Sequence, residues 1–287
     1  MAIIITGGTG KTSSRIARIS LDAKIPFLIA SRKGQDGVPS GMPAVKFDWF
    51  DPTTFENPFQ YKFANGENIT AVYLVHPGQG DPKDFMNPFI DIAFKKYGVH
   101  KFVLLAGSTI TNGGYFMGQV WKHLFELQVE HNILLATWFM ENFTEWLHPT
   151  SIKQENKFYT ACGDGKIPFV SADDIAASAF HCLTGTKPHQ GYRILGPELL
   201  TMDEAAAKIS KALGRTIRHV KLPDEESTKR FQEFGLAEDR AKFMTGLETG
   251  TAAGAEGNFG AGSVRELIGR PPMTFDEWAQ KNKNAWN

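Results

Sequence analysis

The chain has no apolar run long enough to span a bilayer, which excludes a helical membrane protein. It has only two cysteines, Cys162 and Cys182, and no Cys-x-x-Cys pair. That argues against a disulfide scaffold and fits a reducing cytosol. Neither sign of charge is in surplus: 31 Lys+Arg balance 31 Asp+Glu. A net charge of zero speaks against a nucleic-acid surface. The eight histidines are scattered, with no His-x-x-x-His or Cys/His cluster, so no metal centre is expected. The first residues read as a strand rather than a signal peptide, so the sequons at Asn68 and Asn142 are taken as accidental. No Gly-x-Ser-x-Gly elbow surrounds Ser108, which lowers acyl transfer.

What is present begins at "IIITGGTGKTSSRIA", Ile3 to Ala17. Gly10-Lys11-Thr12 ends like an ATP-binding P-loop, but the glycine that must open such a loop would fall at Ile5. The dinucleotide alternative fits better. Ala2 to Ile5 is a continuous apolar run, as in a strand buried on both faces. Ile16, Ile19 and Ala23 then keep helical spacing. Gly7-x-x-Gly10-x-x-Ser13 therefore joins a strand to a helix. Gly7 permits the tight turn, and Gly10 lets the backbone approach a pyrophosphate at the helix start, together with Lys11 and Thr12. Ser13 stands where the fingerprint has its last glycine.

Further apolar runs follow at 27–30, 44–47, 71–75, 102–106 and 133–136, mostly separated by helical stripes such as Phe85, Phe89 and Ala93. Strand-helix alternation predicts an α/β fold, a Rossmann-like doubly wound parallel sheet. After about residue 150 the rhythm changes. Thr201-x-x-Glu204, Ser263-x-x-Glu266 and Thr274-x-x-Glu277 read as capping boxes, and Ser171-x-x-Asp174 as another helix start. "GTAAGAEGNFGAG", Gly250 to Gly262, reads as a flexible loop or lid. The expected division is a dinucleotide-binding domain over 1–150 and a smaller, mostly helical substrate domain over 151–287, with segments free to interleave. The 287 residues suffice for both.

The second run ends in Ser31-Arg32-Lys33, where an NAD-preferring fold usually carries an acid for the ribose 2′-hydroxyl. A hydroxyl and two cations suit a 2′-phosphate instead, so NADPH/NADP+ is the expected cofactor. Asp48 and Trp49 follow the third run and would flank the adenine, although Trp49 would serve equally as a core aromatic. The one Tyr-x-x-x-Lys match, Tyr97 to Lys101, precedes the fifth strand, whereas the acid/base pair of short-chain dehydrogenases lies on the helix after it. Ser108 closes the fifth strand, where open α/β sheets place ligands. Ser108 and Lys122 are the candidates for substrate polarisation, against the plain readings of a strand-end hydroxyl and a solvated lysine. Tyr115 lies seven residues before Lys122, about two helical turns, so a direct pair is not assured.

"TGGTGKTSSRIA", "FVLLAGSTI", "TWFMENF", "GDGKIPFVSADDIA" and "GRPPMTFDEW" together resemble the NmrA-like branch of atypical short-chain dehydrogenases. The likeness runs from residue 3 to about 280 and is strongest to the fungal festuclavine/agroclavine dehydrogenase group of ergot alkaloid biosynthesis. It implies an NADPH-dependent reductase. In that group chanoclavine-I aldehyde, usually with an old-yellow-enzyme partner, yields a cyclic iminium ion, and hydride is delivered to its C=N+ carbon. The likeness places "TWFMENF" beside the nicotinamide, making Trp138, Phe139 and Met140 cofactor-wall candidates. Tyr115 and Phe143 become substrate candidates, Phe143 facing the indole; ordinary core packing is the alternative. Asp173 and Asp174 are read as structural. A non-catalytic NADP-binding regulator and a quinone or enone reductase are the rival functions.

Overall fold

All four residues of the first apolar run are buried in β1 (Ala2–Ile5), as the continuous run requires. The computed structural model describes residues 1–185 and 190–287. From β1 the chain passes through α1 (Lys11–Asp22), β2 (Phe27–Ser31), β3 (Ala44–Lys46), α2 (Asn57–Gln60), β4 (Ile69–Leu74) and α3 (Pro82–Asp91). Next come β5 (Lys101–Gly107), α4 (Met117–Glu126), β6 (Glu130–Ala136), α5 (Pro149–Glu155), β7 (Lys157–Thr160), α6 (Ala172–Thr184) and β8 (Gln190–Ile194). The remainder is α7 (Met202–Leu213), β9 (Arg218–Lys221), α8 (Asp224–Glu233), α9 (Glu238–Ala252), α10 (Val264–Ile268) and α11 (Phe275–Asn282).

Seven strands form one sheet in the order β3-β2-β1-β4-β5-β6-β8. The pairings from β3 through β6 are all parallel. The strand order reverses between β1 and β4, and the crevice outside the carboxyl ends of such a pair is where doubly wound sheets bind ligands. Thr6 closes the crevice floor: its Oγ1 donates to Tyr73 O at 2.8 Å and accepts from Val75 N at 3.1 Å. Behind the sheet, Phe47, Trp49, Phe55, Phe85, Phe89 and Phe102 belong to one buried apolar cluster.

Two units make up the chain. The first is Met1–Ala136 with Ile175–Arg193 and Glu266–Ile268; the second is Thr137–Asp174, Ile194–Arg265 and Gly269–Asn287. The opening segment of the first unit ends with Ala136, at the close of β6. Segment 175–193 returns because β8 pairs beside β6, a long-range pairing that composition does not reveal.

In the second unit β7 and β9 pair in parallel, from Lys157 opposite Arg218 to Thr160 opposite Lys221. The expected capping boxes at Thr201 and Thr274 are both complete. Ser263 makes no side-chain cap, because its backbone (φ −89°, ψ 2°) is not in the extended region that aims a cap hydroxyl at the helix. Asp174 accepts from Ser171 Oγ and Met273 N and pairs with Arg270 at 2.8 Å, while Asp173 pairs with Lys281 at 2.7 Å. The stretch read as a flexible lid begins inside α9, which runs to Ala252. Its side chains are tied down: Thr251 Oγ1 accepts from Trp138 Nε1 at 3.2 Å and Glu256 Oε2 accepts from Thr137 Oγ1 at 2.8 Å. Glycine content signals flexibility, but the polar residues between the glycines are what decide it.

Glu248 on α9 is buried and accepts from Ala161 N at 2.7 Å and Ser227 Oγ at 2.6 Å, both at Oε2. Burial pushes its carboxyl up from 4.5 to about 7. The folded protein thus holds a proton that the unfolded chain releases near 4.5, and stability falls as pH rises from about 4.5 to about 7. Glu248→Gln keeps one oxygen for both donors and cannot ionise. Melting temperatures measured from about pH 5 to about pH 8 should fall less steeply for this variant than for the unaltered protein. Parallel curves would show that Glu248 does not titrate in this window.

Candidate functional site

The strand-to-helix turn is built on three glycines with different duties. Gly7 has φ +86°, and a Cβ there would lie 2.4 Å from Val75 Cγ1 and 2.8 Å from Ser13 Oγ. Gly8 has φ +58°, and its N–H donates to Ala30 O at 3.1 Å. Gly10 caps α1 with an ordinary φ of −61°; its N–H donates to Gly7 O at 3.0 Å, and a Cβ would meet that oxygen at 3.2 Å. The turn therefore presents bare backbone at the start of a twelve-residue helix with no acidic residue in its first turn. Free amides and the helix dipole favour an anion there. Ser13, in the last glycine's place, is buried and donates to Thr6 O at 2.7 Å, so a hydrogen bond holds helix to strand where the fingerprint uses close contact. Thr12 Oγ1 shares a 2.8 Å bond with Tyr73 OH; its side chain thus faces inward, leaving the backbone to meet a phosphate. Burial keeps the Tyr73 phenol protonated by raising its pKa far above the ordinary value. The fingerprint counts only Gly7 and Gly10 and so misses Gly8; the doubled glycine is the signal that could have found it.

β2 ends beside this turn. A Cβ on Gly8 would lie 3.4 Å from Ser31 Oγ. Ser31 is buried, whereas Arg32 and Lys33 are exposed immediately beyond it. The hydroxyl and two cations thus stand next to the anion-favouring turn. Asp48 shapes its own loop, its Oδ1 accepting from Phe50 N at 3.0 Å. Of the two roles open to Trp49, the observed one is core packing: it is 5% exposed, with Phe47, Phe55, Phe85 and Phe89 around it.

Ser108 is buried just past β5; its N–H donates to Ala136 O at 2.9 Å and its carbonyl accepts from Arg193 Nη1 at 2.8 Å. Lys122 is exposed on α4, and Glu126 lies 3.6 Å from its Nζ. The two candidates for substrate polarisation therefore have different partners on different elements. Tyr115 is exposed in the loop leading into α4, and Lys122 Cδ would lie 3.7 Å from a Cβ on Gly113 of that loop. The Tyr97–Lys101 motif is dispersed. Tyr97 OH donates to Glu56 at 2.6 Å, and Lys101 Nζ pairs with Glu130 at 2.9 Å at the amino end of β5. Ser108 lies past the other end of that strand, seven residues and about 20 Å away.

Segment 138–140 is held like a short strand: Val170 N donates to Trp138 O at 3.1 Å and Met140 N to Val170 O at 2.9 Å. Trp138 and Phe139 are half-buried. Met140 and Phe143 are each 1% exposed within the second unit's core, the ordinary packing that was the alternative for them. Phe143 touches the rings of His148, Phe158, Phe169 and Phe275, so none of its ring is left for a substrate. Sequence reasoning also misses His76, at the end of β4, whose ring lies 4.5 Å from that of Phe116.

No family model matches the chain. Whole-chain relatives do. Festuclavine synthase II of Penicillium roqueforti is 40% identical over 290 residues, covering 100% of both chains. Agroclavine dehydrogenase of Claviceps fusiformis is 38% identical over 291 residues, covering 100% of this chain and 99% of the relative. The chain belongs to the festuclavine/agroclavine dehydrogenase family. Among solved structures, the NADPH complex of an Escherichia coli NADPH-dependent quinone oxidoreductase superposes with a TM-score of 0.77 at 18% identity, covering 98% of this chain and 99% of that one. A triphenylmethane reductase of Citrobacter complexed with NADP(H) gives 0.77 at 15% identity, covering 98% and 100%. These two establish the fold, a Rossmann-like, mostly parallel sheet with flanking helices. As a festuclavine/agroclavine dehydrogenase family member the chain is of oxidoreductase type. The glycine turn and the Ser31-Arg32-Lys33 corner fit a phosphorylated dinucleotide in space, in charge and in available backbone donors.

Proposed function

We propose that this protein is an NADPH-dependent reductase of a cyclic iminium formed from chanoclavine-I aldehyde, giving a clavine alkaloid, festuclavine or agroclavine. The observation that carries this reading is end-to-end identity of 38–40% with festuclavine and agroclavine enzymes. NADPH, when bound, supplies the hydride. Gly7, Gly8 and Gly10 would keep the turn bare so that its pyrophosphate can approach the backbone amides of Lys11 and Thr12; Ser31, Arg32 and Lys33 would hold its 2′-phosphate, and Asp48 would border the adenine. An old-yellow-enzyme-type reductase is the functional partner upstream.

The dispersal of Tyr97 and Lys101 supports the same reading. Reducing a ketone makes an alkoxide that needs a proton, whereas an iminium becomes a neutral amine directly, with no general acid at the hydride step. The protein's task is then placement of the reacting carbons and exclusion of water. The test is NADPH consumption with the enzymatically generated iminium, followed by mass analysis for the saturated amine. Turnover of quinones or enones but not the iminium would transfer the protein to that class. Binding of NADPH without turnover of any of them would make it a regulator.

Lys122 supplies a second check. It is placed here as at most a positioning residue, being exposed and paired with Glu126. Lys122→Met removes the charge and keeps most of the length. With both ligands saturating, the single-turnover hydride rate on preformed iminium should fall by less than about tenfold, roughly 1.4 kcal/mol. A thousandfold fall with an intact fold would place Lys122 in the transition state and point to a carbonyl or enone.

A further inference from the structure

Rings line the carboxyl edge of the sheet in a row. Phe50, just beyond β3, lies 5.2 Å from Phe85 in the first turn of α3; Phe85 lies 5.9 Å from His76, and His76 lies 4.5 Å from Phe116. Phe50, at one end of the row, is 46% exposed, and Tyr115, the chain neighbour of Phe116 at the other end, is 54% exposed. All of these belong to the first unit. They sit in the loops outside the carboxyl ends of β3, β4 and β5, the region where doubly wound sheets take ligands.

Phe116 is held at φ +55°, ψ −120°, the geometry of the first central position of a type II′ turn. The turn is closed by Gly118 N donating to Tyr115 O at 3.0 Å. Glycine is the favoured residue there, and a side chain with a Cβ is strained. Such strain persists where surroundings over-determine the residue, and it concentrates at ligand clamps. The imidazole beside it is fixed as well. His76 Nδ1 accepts from Gly78 N at 3.0 Å, so the proton sits on Nε2, which faces Gly80 O at 3.1 Å. With both nitrogens engaged in its own loop, His76 offers the neighbouring ring a fixed edge.

We propose that Phe116 is the specificity-determining wall of the substrate site, receiving the planar C=N+ group of the iminium over the face of its half-buried ring, with His76 as the residue that positions it. The proposal rests on the iminium-reductase reading. A ring face attracts a planar cation without the strong hold of a carboxylate. That balance suits a substrate whose positive charge disappears as hydride arrives, since tighter ground-state binding would slow the step.

The experiment compares the unaltered holoenzyme with Phe116→Leu, Phe116→Tyr and His76→Phe. It reads three quantities: KM and kcat for the iminium, Kd for NADPH by fluorescence, and Kd of the clavine amine for the NADP+ complex by calorimetry. Phe116→Leu should raise KM and the amine Kd by roughly tenfold, the scale of a cation–π contact, with NADPH Kd within about twofold. Phe116→Tyr should restore most of that loss. His76→Phe should raise KM by roughly threefold with an unchanged kcat pH profile, as for positioning without proton transfer. Values for Phe116→Leu within about twofold of the unaltered enzyme, or an NADPH Kd rising in step with KM, would overturn the proposal. If the unaltered enzyme binds the amine but consumes no NADPH with the iminium, the functional reading fails while the binding series still judges Phe116. If it binds neither, both fall.

Discussion

Replacing Arg32 with alanine is expected to weaken NADPH binding by roughly 10- to 150-fold and NADH binding by less than about threefold. The argument starts from position. β2 ends at Ser31, whose hydroxyl lies against Gly8 of the cofactor turn, and Arg32 is the next residue out. A 2′-phosphate at this corner meets a planar guanidinium that can donate two parallel hydrogen bonds. One charge-assisted bond contributes about 1.5–3 kcal/mol, which sets the range quoted. NADH lacks the phosphate and loses only stacking. Because Arg32 is exposed, the difference between cofactors should shrink as ionic strength rises. Fluorescence titration with both cofactors at two salt concentrations makes the measurement. Equal losses for NADPH and NADH would remove Arg32 from the phosphate site.

Phe143→Ala is expected to destabilise the protein by about 3–5 kcal/mol, the usual cost of emptying a packed phenylalanine site. The ring lies 5.1 Å from Phe158, 5.2 Å from His148, 5.6 Å from Phe169 and Phe275, and 6.4 Å from Trp278. These neighbours come from segments far apart in sequence and are themselves mostly fully buried, so they cannot collapse freely into the space. Urea unfolding should show a lower midpoint with little change in slope. Near-normal stability with a large rise in the substrate KM would reverse the result, returning Phe143 to the substrate site.

The difference between Phe143 and Phe116 shows what local sequence carries. Both are phenylalanines in short irregular stretches beside helices. "TWFMENF" draws attention through its resemblance to a family pattern, yet two of its candidates are core. Phe116 stands out in the sequence only as part of the Phe116, Val120 and Leu124 stripe. Its imidazole neighbour comes from a loop forty residues earlier, and no periodicity reports that.

The sequence by itself determined the class of the fold and the place of the glycine turn between β1 and α1. Strands buried on both faces must be continuous apolar runs, and β1 and β2 are legible as such from their own residues. The caps at Thr201 and Thr274 are equally local, because each joins residues three apart. The basic corner after β2 is legible for the same reason, since charge type and strand end are both written in consecutive residues. Only the tertiary structure decided which aromatics are buried in the core, that Tyr97 hydrogen-bonds Glu56 while Lys101 pairs with Glu130, and that β8 completes the sheet of the first unit. Those outcomes rest on contacts between residues distant in the chain, such as Thr6 with Tyr73 or Thr137 with Glu256. Local propensity and spacing carry no information about such partners; packing and hydrogen-bond satisfaction select them when the whole chain folds.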